Sequence, residues 1–153
     1  MATQINKSMR AAGLIVYRWN GHAPIEFLLL QTSYGRHHWT PPKGFVDGNE
    51  DALATAIRET KEEAGLNEAH YQIEDRFHKT LHYFDPSKKQ DKQVDYWLAR
   101  LRCVEQPVVL SAEHQDFKWL QLDEACKLGG YADMSRLLRE AHEFLSDRNS
   151  RDL

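Results

Sequence analysis

Three glutamates in one predicted helix, Glu59, Glu62 and Glu63, are the residues best suited to chemistry in this 153-residue chain. Their i, i+3, i+4 spacing places them on one side of an α-helix, where their negative charges repel each other. They also lie near the carboxyl end of that helix, where the macrodipole disfavours carboxylates. A bound divalent cation would compensate such a cluster, and carboxylate oxygens favour Mg²⁺ or Mn²⁺. The alternative is a solvent-exposed acidic surface paired with Arg58 and Lys61.

The helix that carries these glutamates is predicted over residues 51–64. Gly65 follows it directly and is the expected C-terminal capping residue. On a helical wheel of about 100° per residue, four side chains form a narrow stripe that is expected to be buried. These are Leu53, Ile57, Thr60 and Ala64.

The residues around the helix follow the pattern G-x5-E-x7-R-E-U-x-E-E-x-G-U, where U is aliphatic. The match runs from Gly44 through Glu50 and Arg58 to Leu66, and its one departure is Thr60 at the first aliphatic position. This segment resembles the Nudix box. The resemblance implies an α+β fold, the Nudix α/β/α sandwich with a mixed sheet and a catalytic loop–helix–loop. It also implies hydrolysis of a nucleoside diphosphate linked to a second group.

The resemblance also implies roles for residues in and near the box. The metal ligands would be Gly44 (through its carbonyl), Glu59, Glu62, Glu63 and Glu113. Arg58 would orient the carboxylates through a salt bridge with Glu50. The catalytic residues would be Glu63, Glu59, Glu113 and Arg58, with Glu63 as the preferred general base and Glu59 and Glu113 as the alternatives.

Segments outside the box narrow the resemblance. The sequences HHWTPPKG at 37–44, YWLA at 96–99 and SAEHQ at 111–115 resemble the animal-type asymmetrical diadenosine tetraphosphate hydrolases, and the similarity spans about residues 10–145. This resemblance implies cleavage of diadenosine tetraphosphate to ATP and AMP. Its implied substrate-binding residues are Tyr34, His38, Lys43, Tyr83, Lys92 and Tyr131.

Each of these residues has an expected task. His38 and Lys43 match phosphate-binding positions, and Lys92 would add a third cation from a lysine-rich loop. A solvated loop explains Lys88, Lys89 and Lys92 equally well. Tyr83 and Tyr131 match positions that stack on the adenine base. Trp39 and Trp119 are assigned to core packing.

Hydrophobic periodicity predicts the elements that must position these residues. Strands are expected at 12–18, 26–32, 77–84, 94–104 and 117–120, and the dipeptide Asn20-Gly21 predicts a turn after the first. Loops are expected at 33–48, 85–93 and 105–116. Asp123 is expected to cap a brief helix, and a C-terminal helix has an apolar stripe of Met134, Leu137, Leu138, Ala141 and Leu145.

Length and composition favour one Nudix domain at residues 10–146, a flexible N-terminus at 1–9 and a polar tail at 147–153. The net charge of −3 argues against attraction to nucleic acid, and no apolar run suggests a membrane span or secretory signal. Two cysteines, Cys103 and Cys126, form no C-x-x-C pair. We therefore expect a cytoplasmic monomer, with the nucleus as a second compatible location, whose partner is its dinucleoside polyphosphate substrate.

Two alternatives stay open from the sequence. One keeps the Nudix fold and changes the substrate to 5′-triphosphate or capped RNA, or to other pyrophosphates such as nucleotide sugars and diphosphoinositol polyphosphates. The other is a nucleotide-sensing binding module without catalysis, which retention of Glu59, Glu62 and Glu63 disfavours.

Overall fold

The structure, a computed structural model, describes residues 9–86 and 89–151. The strands in these ranges are β1 (Met9–Arg18), β2 (Glu26–Thr32), β3 (Trp39–Thr40), β4 (Lys43–Phe45), β5 (Tyr71–Asp85), β6 (Gln90–Leu101) and β7 (His114–Leu120). The helices are α1 (Ala52–Ala64), α2 (Leu122–Gly129) and α3 (Ala132–Arg151), with a 3₁₀ turn at Glu68–His70. Across this described part of the chain, no helix is both long and apolar enough to cross a lipid bilayer.

The strands form one mixed sheet in the order β3-β2-β1-β6-β5, with β4 paired to β1 and β7 paired to β2. The pairing of β1 with β6 is parallel, and the other pairs are antiparallel. Strand β1 contacts β2 at its carboxyl end and β4 near its amino end. This second contact holds the segment before α1 against the centre of the sheet.

Alternating residues of the central strands enter two separate cores, because successive side chains of a strand point to opposite faces. Ile15 of β1 and Phe27 of β2 pack with α2 and α3, whereas Leu14 and Leu28 pack with α1. Helices therefore cover both faces of the sheet. This confirms the predicted α+β sandwich.

The predicted bounds of helix α1 are nearly correct, and two of the four residues of its predicted buried stripe, Thr60 and Ala64, are fully buried. Gly65 adopts the left-handed conformation at φ 69° and donates its N–H to the Lys61 carbonyl at 3.0 Å. Leu53 and Ile57 are only half-buried. The fully buried side chains of α1 are Ala52, Thr55, Ala56, Thr60 and Ala64. Small side chains face the sheet because they let the helix pack close to β1.

Several predicted element boundaries are wrong. The predicted loop at 33–48 contains β3 and β4, which are too short for any propensity signal and exist through pairing with β2 and β1. Strand β5 begins six residues earlier than predicted, at Tyr71, and β6 begins four residues earlier, at Gln90, so the predicted loop at 85–93 shrinks. Strand β6 ends at Leu101 rather than at 104, and β7 begins at His114, inside the predicted loop at 105–116.

The predicted cap of α2 is also wrong. Its N-cap residue is Gln121, and Asp123 lies in the first turn, where its carboxylate favours the helix dipole and accepts a hydrogen bond from Arg139 at 3.3 Å. The predicted turn after β1 is present: the Asn20 side chain accepts hydrogen bonds from the N–H groups of His22 and Ala23, both at 2.9 Å. The flexible N-terminus predicted at 1–9 lies outside the described residues except for Met9, and α3 continues through Arg151.

Candidate active site

Arg58 organises the acidic side of α1. Its guanidinium donates from Nε to Glu50 Oε2 at 2.9 Å and from Nη2 to Glu50 Oε1 at 3.0 Å. Glu50 also accepts a hydrogen bond from the Thr55 hydroxyl at 2.6 Å. These hydrogen bonds, that from Arg58 first, lower the pKa of Glu50 to about 2. The expected Arg58–Glu50 salt bridge is therefore present, and it has the two-pronged geometry that a lysine cannot provide.

The same guanidinium contacts two of the box glutamates. Arg58 Nη1 lies 2.9 Å from Glu59 Oε1 and 3.2 Å from Glu62 Oε2. Glu59 is largely buried, whereas Glu62 is more than half exposed. Burial raises the pKa of Glu59, and the Arg58 hydrogen bond opposes this rise. Arg58 thus ties the loop before α1 to the carboxylates on the helix.

Gly44 lies directly against the Glu59 carboxylate. A Cβ atom built on Gly44 would collide with the carboxylate carbon and both its oxygens. Only glycine allows the backbone of β4 to come this close to the helix. The sequence pattern thus places a glycine where the main chain of β4 packs directly against the Glu59 carboxylate.

Glu63 is the most enclosed of the acidic residues of the box. Its Oε1 accepts a hydrogen bond from the Lys43 backbone N–H at 2.9 Å. Burial raises the pKa of Glu63 to about 7; the Lys43 N–H opposes this rise, and the charge of Glu59 adds to it. Two buried carboxylates that destabilise each other's charged forms are a pair that a cation stabilises.

The donor chemistry therefore fits a hard divalent cation. Glu59 and Glu63 provide carboxylate oxygens, Gly44 brings main-chain atoms beside Glu59, and Arg58 orients the group. The side chains are not gathered into a ready-made cage: among the described residues, no three His, Cys, Asp or Glu side chains are arranged to hold a metal ion. One reason for the lack of such a cage is that the Glu59 and Glu62 carboxylates here accept hydrogen bonds from Arg58.

A cleft of about 590 Å³ opens beside Glu63. It brings together the substrate-binding residues predicted from the resemblance, although they are spread over almost a hundred positions of the chain. All six line it: Tyr34, His38, Lys43, Tyr83, Lys92 and Tyr131. Of the predicted catalytic residues, Glu63 lines the same cleft, whereas Glu59, Glu113 and Arg58 are not among its lining residues.

Two lysines give one side of this cleft a positive charge. Burial, and after it the charge of the neighbouring Lys92, lowers the pKa of Lys43 to about 8, while the charge of Glu63 acts in the opposite direction. The Lys92 ammonium also lies 5.1 Å from the centre of the Phe45 ring. Two neighbouring ammonium groups suit the binding of a polyanion, whose negative charge offsets their repulsion.

Aromatic side chains lie at another side of the cleft. Tyr131 is about half exposed, and its hydroxyl lies 3.3 Å from His38 Nδ1, with the two ring centres 5.6 Å apart. Tyr83 packs against the core of the α2–α3 face, and burial raises its pKa to about 12, with the nearby Asp133 and Tyr131 adding to the rise. The two tyrosines thus provide one fixed and one exposed aromatic ring.

The loop before β3 has a tightly defined backbone. Gly35 and His37 both adopt positive φ angles, 63° and 56°. For His37 this conformation is uncommon, and it is held by its N–H to the Tyr34 carbonyl at 3.3 Å and by its ring Nδ1 at 3.0 Å from the Thr32 carbonyl. These bonds fix the positions of Tyr34 and the adjacent His38.

Glu113 approaches the site from the loop before β7. Its carbonyl accepts a hydrogen bond from the Ser33 N–H at 2.9 Å, and its side chain is exposed. Partial burial raises the pKa of Tyr34, and the charge of Glu113 is the next cause, followed by that of Glu63. The negative charges of Glu113 and Glu63 therefore both act on the Tyr34 hydroxyl.

The cleft is also lined by residues that were not predicted from the sequence, among them Trp39 and His114. Trp39, which was assigned to core packing, packs on the core but also lines the cleft. His114 is buried in the cleft wall, and its Nε2 lies 3.7 Å from Glu63 Oε2. The signal for His114 was its place beside Glu113 in the SAEHQ segment. Lys88 lies outside the described residues.

The fold and this site define a class of protein. The family model of the NUDIX domain matches residues 7–141, and the chain therefore belongs to the Nudix family. Among curated proteins, the bis(5′-nucleosyl)-tetraphosphatase [asymmetrical] of Sus scrofa is 47% identical over 143 residues, which cover 90% of this chain and 96% of that protein.

A nematode relative and its structure agree with this similarity. The bis(5′-nucleosyl)-tetraphosphatase [asymmetrical] of Caenorhabditis elegans is 49% identical over 138 residues, which cover 90% of this chain and 97% of that protein. The crystal structure of a C. elegans Ap4A hydrolase binary complex superimposes with a TM-score of 0.85 at 49% identity and covers 91% of this chain and 98% of that one.

Proposed function

We propose that this Nudix protein hydrolyses diadenosine tetraphosphate asymmetrically to ATP and AMP. One observation carries the proposal: a single cleft joins Glu63 of the Nudix box, the lysine pair Lys43 and Lys92, and the aromatic rings of Tyr83 and Tyr131. These are groups for activating water, holding a phosphate chain and stacking on a base. Relatives that carry this activity in their names are 47% and 49% identical to the chain.

Nudix hydrolases need a divalent metal, and we assign Mg²⁺ or Mn²⁺ to this one. The residues that would hold it are the Gly44 carbonyl, Glu59, Glu62, Glu63 and Glu113. When bound, the metal supplies positive charge to the phosphate oxygens and lowers the pKa of a water molecule. Arg58 keeps Glu59 in place through the contacts described above.

The substrate is held at two points. Tyr83 and Tyr131 stack on one adenine, which is worth about 1–3 kcal/mol per base in nucleic-acid sites. Lys43, Lys92 and His38 bind oxygens of the phosphate chain, and the lysine charges stabilise the leaving group. Tyr34 contacts the nucleotide at the same cleft. Cleavage away from the centre follows because the fixed adenosine sets which phosphorus lies beside Glu63.

The reaction is an in-line displacement at phosphorus. The water oxygen bonds to the phosphorus of the AMP portion while the bond from that phosphorus to the bridging oxygen breaks, and the bridging oxygen leaves with ATP. Glu63 accepts the proton of the water, since it is the box glutamate that lines the cleft. Glu59 and Glu113 are the alternative bases, and His38 and Lys43 stabilise the negative charge that develops on the departing ATP.

A panel of substrates at fixed Mg²⁺ tests the assignment. The panel consists of diadenosine tetraphosphate, ATP, an ADP-sugar, a diphosphoinositol polyphosphate, and triphosphate-ended and capped RNA. We expect the highest kcat/KM for diadenosine tetraphosphate, because the other substrates lack either the long phosphate chain or the stacking base. A higher kcat/KM for capped RNA would contradict the proposal. Binding of nucleotide without turnover of any substrate would favour the sensing module instead.

Several further features stay predictions from the sequence. They are the domain limits of 10–146, the monomeric state, the cytoplasmic location, and a set of partners that excludes nucleic acid and membranes. Size-exclusion chromatography with light scattering tests the monomeric state, and cell fractionation with an antibody to the protein tests the location.

A further inference from the structure

The loop before β7 is attached to the carboxyl end of α1. The Val109 N–H donates to the Ala64 carbonyl at 2.9 Å, and the Ser111 N–H donates to the Glu63 carbonyl at 3.3 Å. Gly65 permits this contact, because a Cβ at that position would come within 2.8 Å of the Val109 Cβ. These bonds satisfy helix-end carbonyls and fix the loop directly beside Glu63.

Residues 111–114 then form a tight turn with a defined hydrogen-bond direction. The Glu113 N–H donates to Ser111 Oγ at 3.3 Å, and the His114 N–H donates to the Ser111 carbonyl at 3.2 Å. Ser111 Oγ also lies 3.2 Å from His114 Nδ1. A hydroxyl has one donor and two acceptor positions, so Ser111 Oγ can accept from Glu113 and donate its own proton to Nδ1.

The Glu63 carboxylate on the other side of the imidazole ring favours one tautomer. An ionised carboxylate only accepts hydrogen bonds, so the hydrogen belongs on the ring nitrogen that faces it, which leaves Nδ1 to accept from Ser111. Nε2 is the atom that faces Glu63 Oε2 at 3.7 Å, and only 4% of the His114 side chain is exposed. The separation is slightly longer than a hydrogen bond, as is common before substrate binds, and a small rotation of either side chain closes it.

We propose that His114 is a positioning residue that holds Glu63 in its reactive orientation. The Lys43 N–H already bonds Oε1 at 2.9 Å, and the His114 Nε2–H would hold Oε2 once the 3.7 Å separation closes. The Ser111 turn sets the His114 ring and places Glu113 beside it, so one loop orders two acidic residues of the site. This inference rests on the proposed role of Glu63.

The test separates positioning from folding. His114→Phe keeps a ring but removes the hydrogen bond, whereas His114→Gln restores an N–H donor. Replacing a residue that orients a metal ligand typically lowers activity by about 10- to 100-fold. We expect kcat for diadenosine tetraphosphate to fall by this factor in His114→Phe with KM changed less than about twofold, and to recover partly in His114→Gln. His142→Phe on α3, whose ring contacts Phe27 at 6.5 Å, is the control and should keep wild-type kcat.

A second variant and a second readout cover the case in which His114→Phe fails to fold. Ser111→Ala removes the donor to Nδ1 and should lower kcat several-fold with an unchanged thermal midpoint. In metal-free protein, ¹⁵N NMR of the histidine rings should show His114 protonated on Nε2, and Ser111→Ala should weaken that preference. Unchanged kcat in both Ser111→Ala and His114→Phe, or an Nδ1-protonated ring, would overturn the proposal.

The experiments distinguish a failure of the proposed function from a failure of the positioning role. If the wild-type protein does not cleave diadenosine tetraphosphate, the proposed function is wrong, yet the ¹⁵N spectrum still decides the His114 ring state. If the wild type is active and His114→Phe matches it in kcat, the proposed function stands and the positioning role is wrong.

Discussion

Arg58 and Glu50 form a two-pronged ion pair, with Nε–Oε2 at 2.9 Å and Nη2–Oε1 at 3.0 Å. The pair joins the loop after β4 to the middle of α1. Arg58 uses its remaining N–H groups on Glu59 and on the Phe45 carbonyl, the latter at 3.1 Å. One guanidinium therefore sets the distance between the loop and the acidic side chains of the helix.

This geometry predicts that Arg58→Lys weakens metal binding. A lysine cannot satisfy both Glu50 oxygens and Glu59 together, so the carboxylates lose their common orientation. We expect the Mg²⁺ concentration for half-maximal activity to rise by about 10- to 100-fold. Titration of activity against Mg²⁺ measures it.

Arg18→Lys is the matched control, since Arg18 also forms an ion pair, with Glu26 at 2.8 Å, but does so away from the cleft. Equal Mg²⁺ requirements for Arg58→Lys and Arg18→Lys would show that the two-pronged Arg58–Glu50 ion pair does not orient the carboxylates.

Removal of the exposed tyrosine should weaken substrate binding. Tyr131→Ala loses a stacking surface worth about 1–3 kcal/mol, which corresponds to an increase in KM of about 5- to 150-fold. Tyr131→Phe keeps the ring and loses only the hydroxyl that faces His38, so its KM should stay near that of the wild type. Because stacking of Tyr83 and Tyr131 on one adenine sets the cleavage position, Tyr131→Ala should also release some ADP. Similar KM values for the Ala and Phe variants would contradict stacking.

The general-base assignment predicts an order among the carboxylate variants. Glu63→Gln should lose most of its rate with its fold intact, because the glutamine keeps the shape but cannot accept the proton. Glu59→Gln and Glu113→Gln should lose less if they serve only as ligands. Single-turnover rates at saturating Mg²⁺, with circular dichroism for the fold, compare the three. Full activity in Glu63→Gln would show that Glu63 is not the general base.

Much of the site could be predicted because its spacing is local. The box from Gly44 to Leu66 fixes a loop, a helix and a capping glycine within 23 consecutive positions, and α1 ends where the pattern requires. The cleft is different. Tyr34 and Tyr131 are brought together by the whole sheet, so no periodicity links them, and only the resemblance to known hydrolases indicated both.

The remaining errors have physical causes. Strands β3 and β4 are two and three residues long and are held by their neighbours rather than by their own propensity. The polar hairpin of β5 and β6 lacked the alternation that marks a half-buried strand. His114 was missed because its importance depends on the approach of the loop before β7 to Glu63, a contact between residues 51 positions apart in sequence.

A buried carboxylate that does not itself line the cleft, Asp95, predicts an acid dependence of stability. Asp95 is 4% exposed; it accepts a hydrogen bond from the Thr80 hydroxyl at 2.6 Å, and its Oδ1 lies 3.0 Å from His78 Nε2. Burial raises its pKa, but these hydrogen bonds and that of Gln93 outweigh burial and leave the pKa below the ordinary 3.8. A lowered folded pKa stabilises the protein above pH 3.8, and this contribution is lost as the pH falls below it.

We therefore expect Asp95→Asn to reduce the free energy of unfolding at pH 7, with a difference from wild type that shrinks below pH 3.8. Urea denaturation between pH 7 and pH 3 measures both curves. Asp123→Asn is the control, because its exposed pair with Arg139 contributes little at any pH. A constant difference between Asp95→Asn and wild type over the whole range would refute the assignment.

The central claim is off-centre hydrolysis with attack on the AMP-side phosphorus. It is tested most directly by turnover of diadenosine tetraphosphate with Mg²⁺ in ¹⁸O-labelled water, with products separated by chromatography and weighed by mass spectrometry. The account predicts equal amounts of ATP and AMP, with the ¹⁸O label in AMP. Two molecules of ADP, or label in ATP, would contradict it.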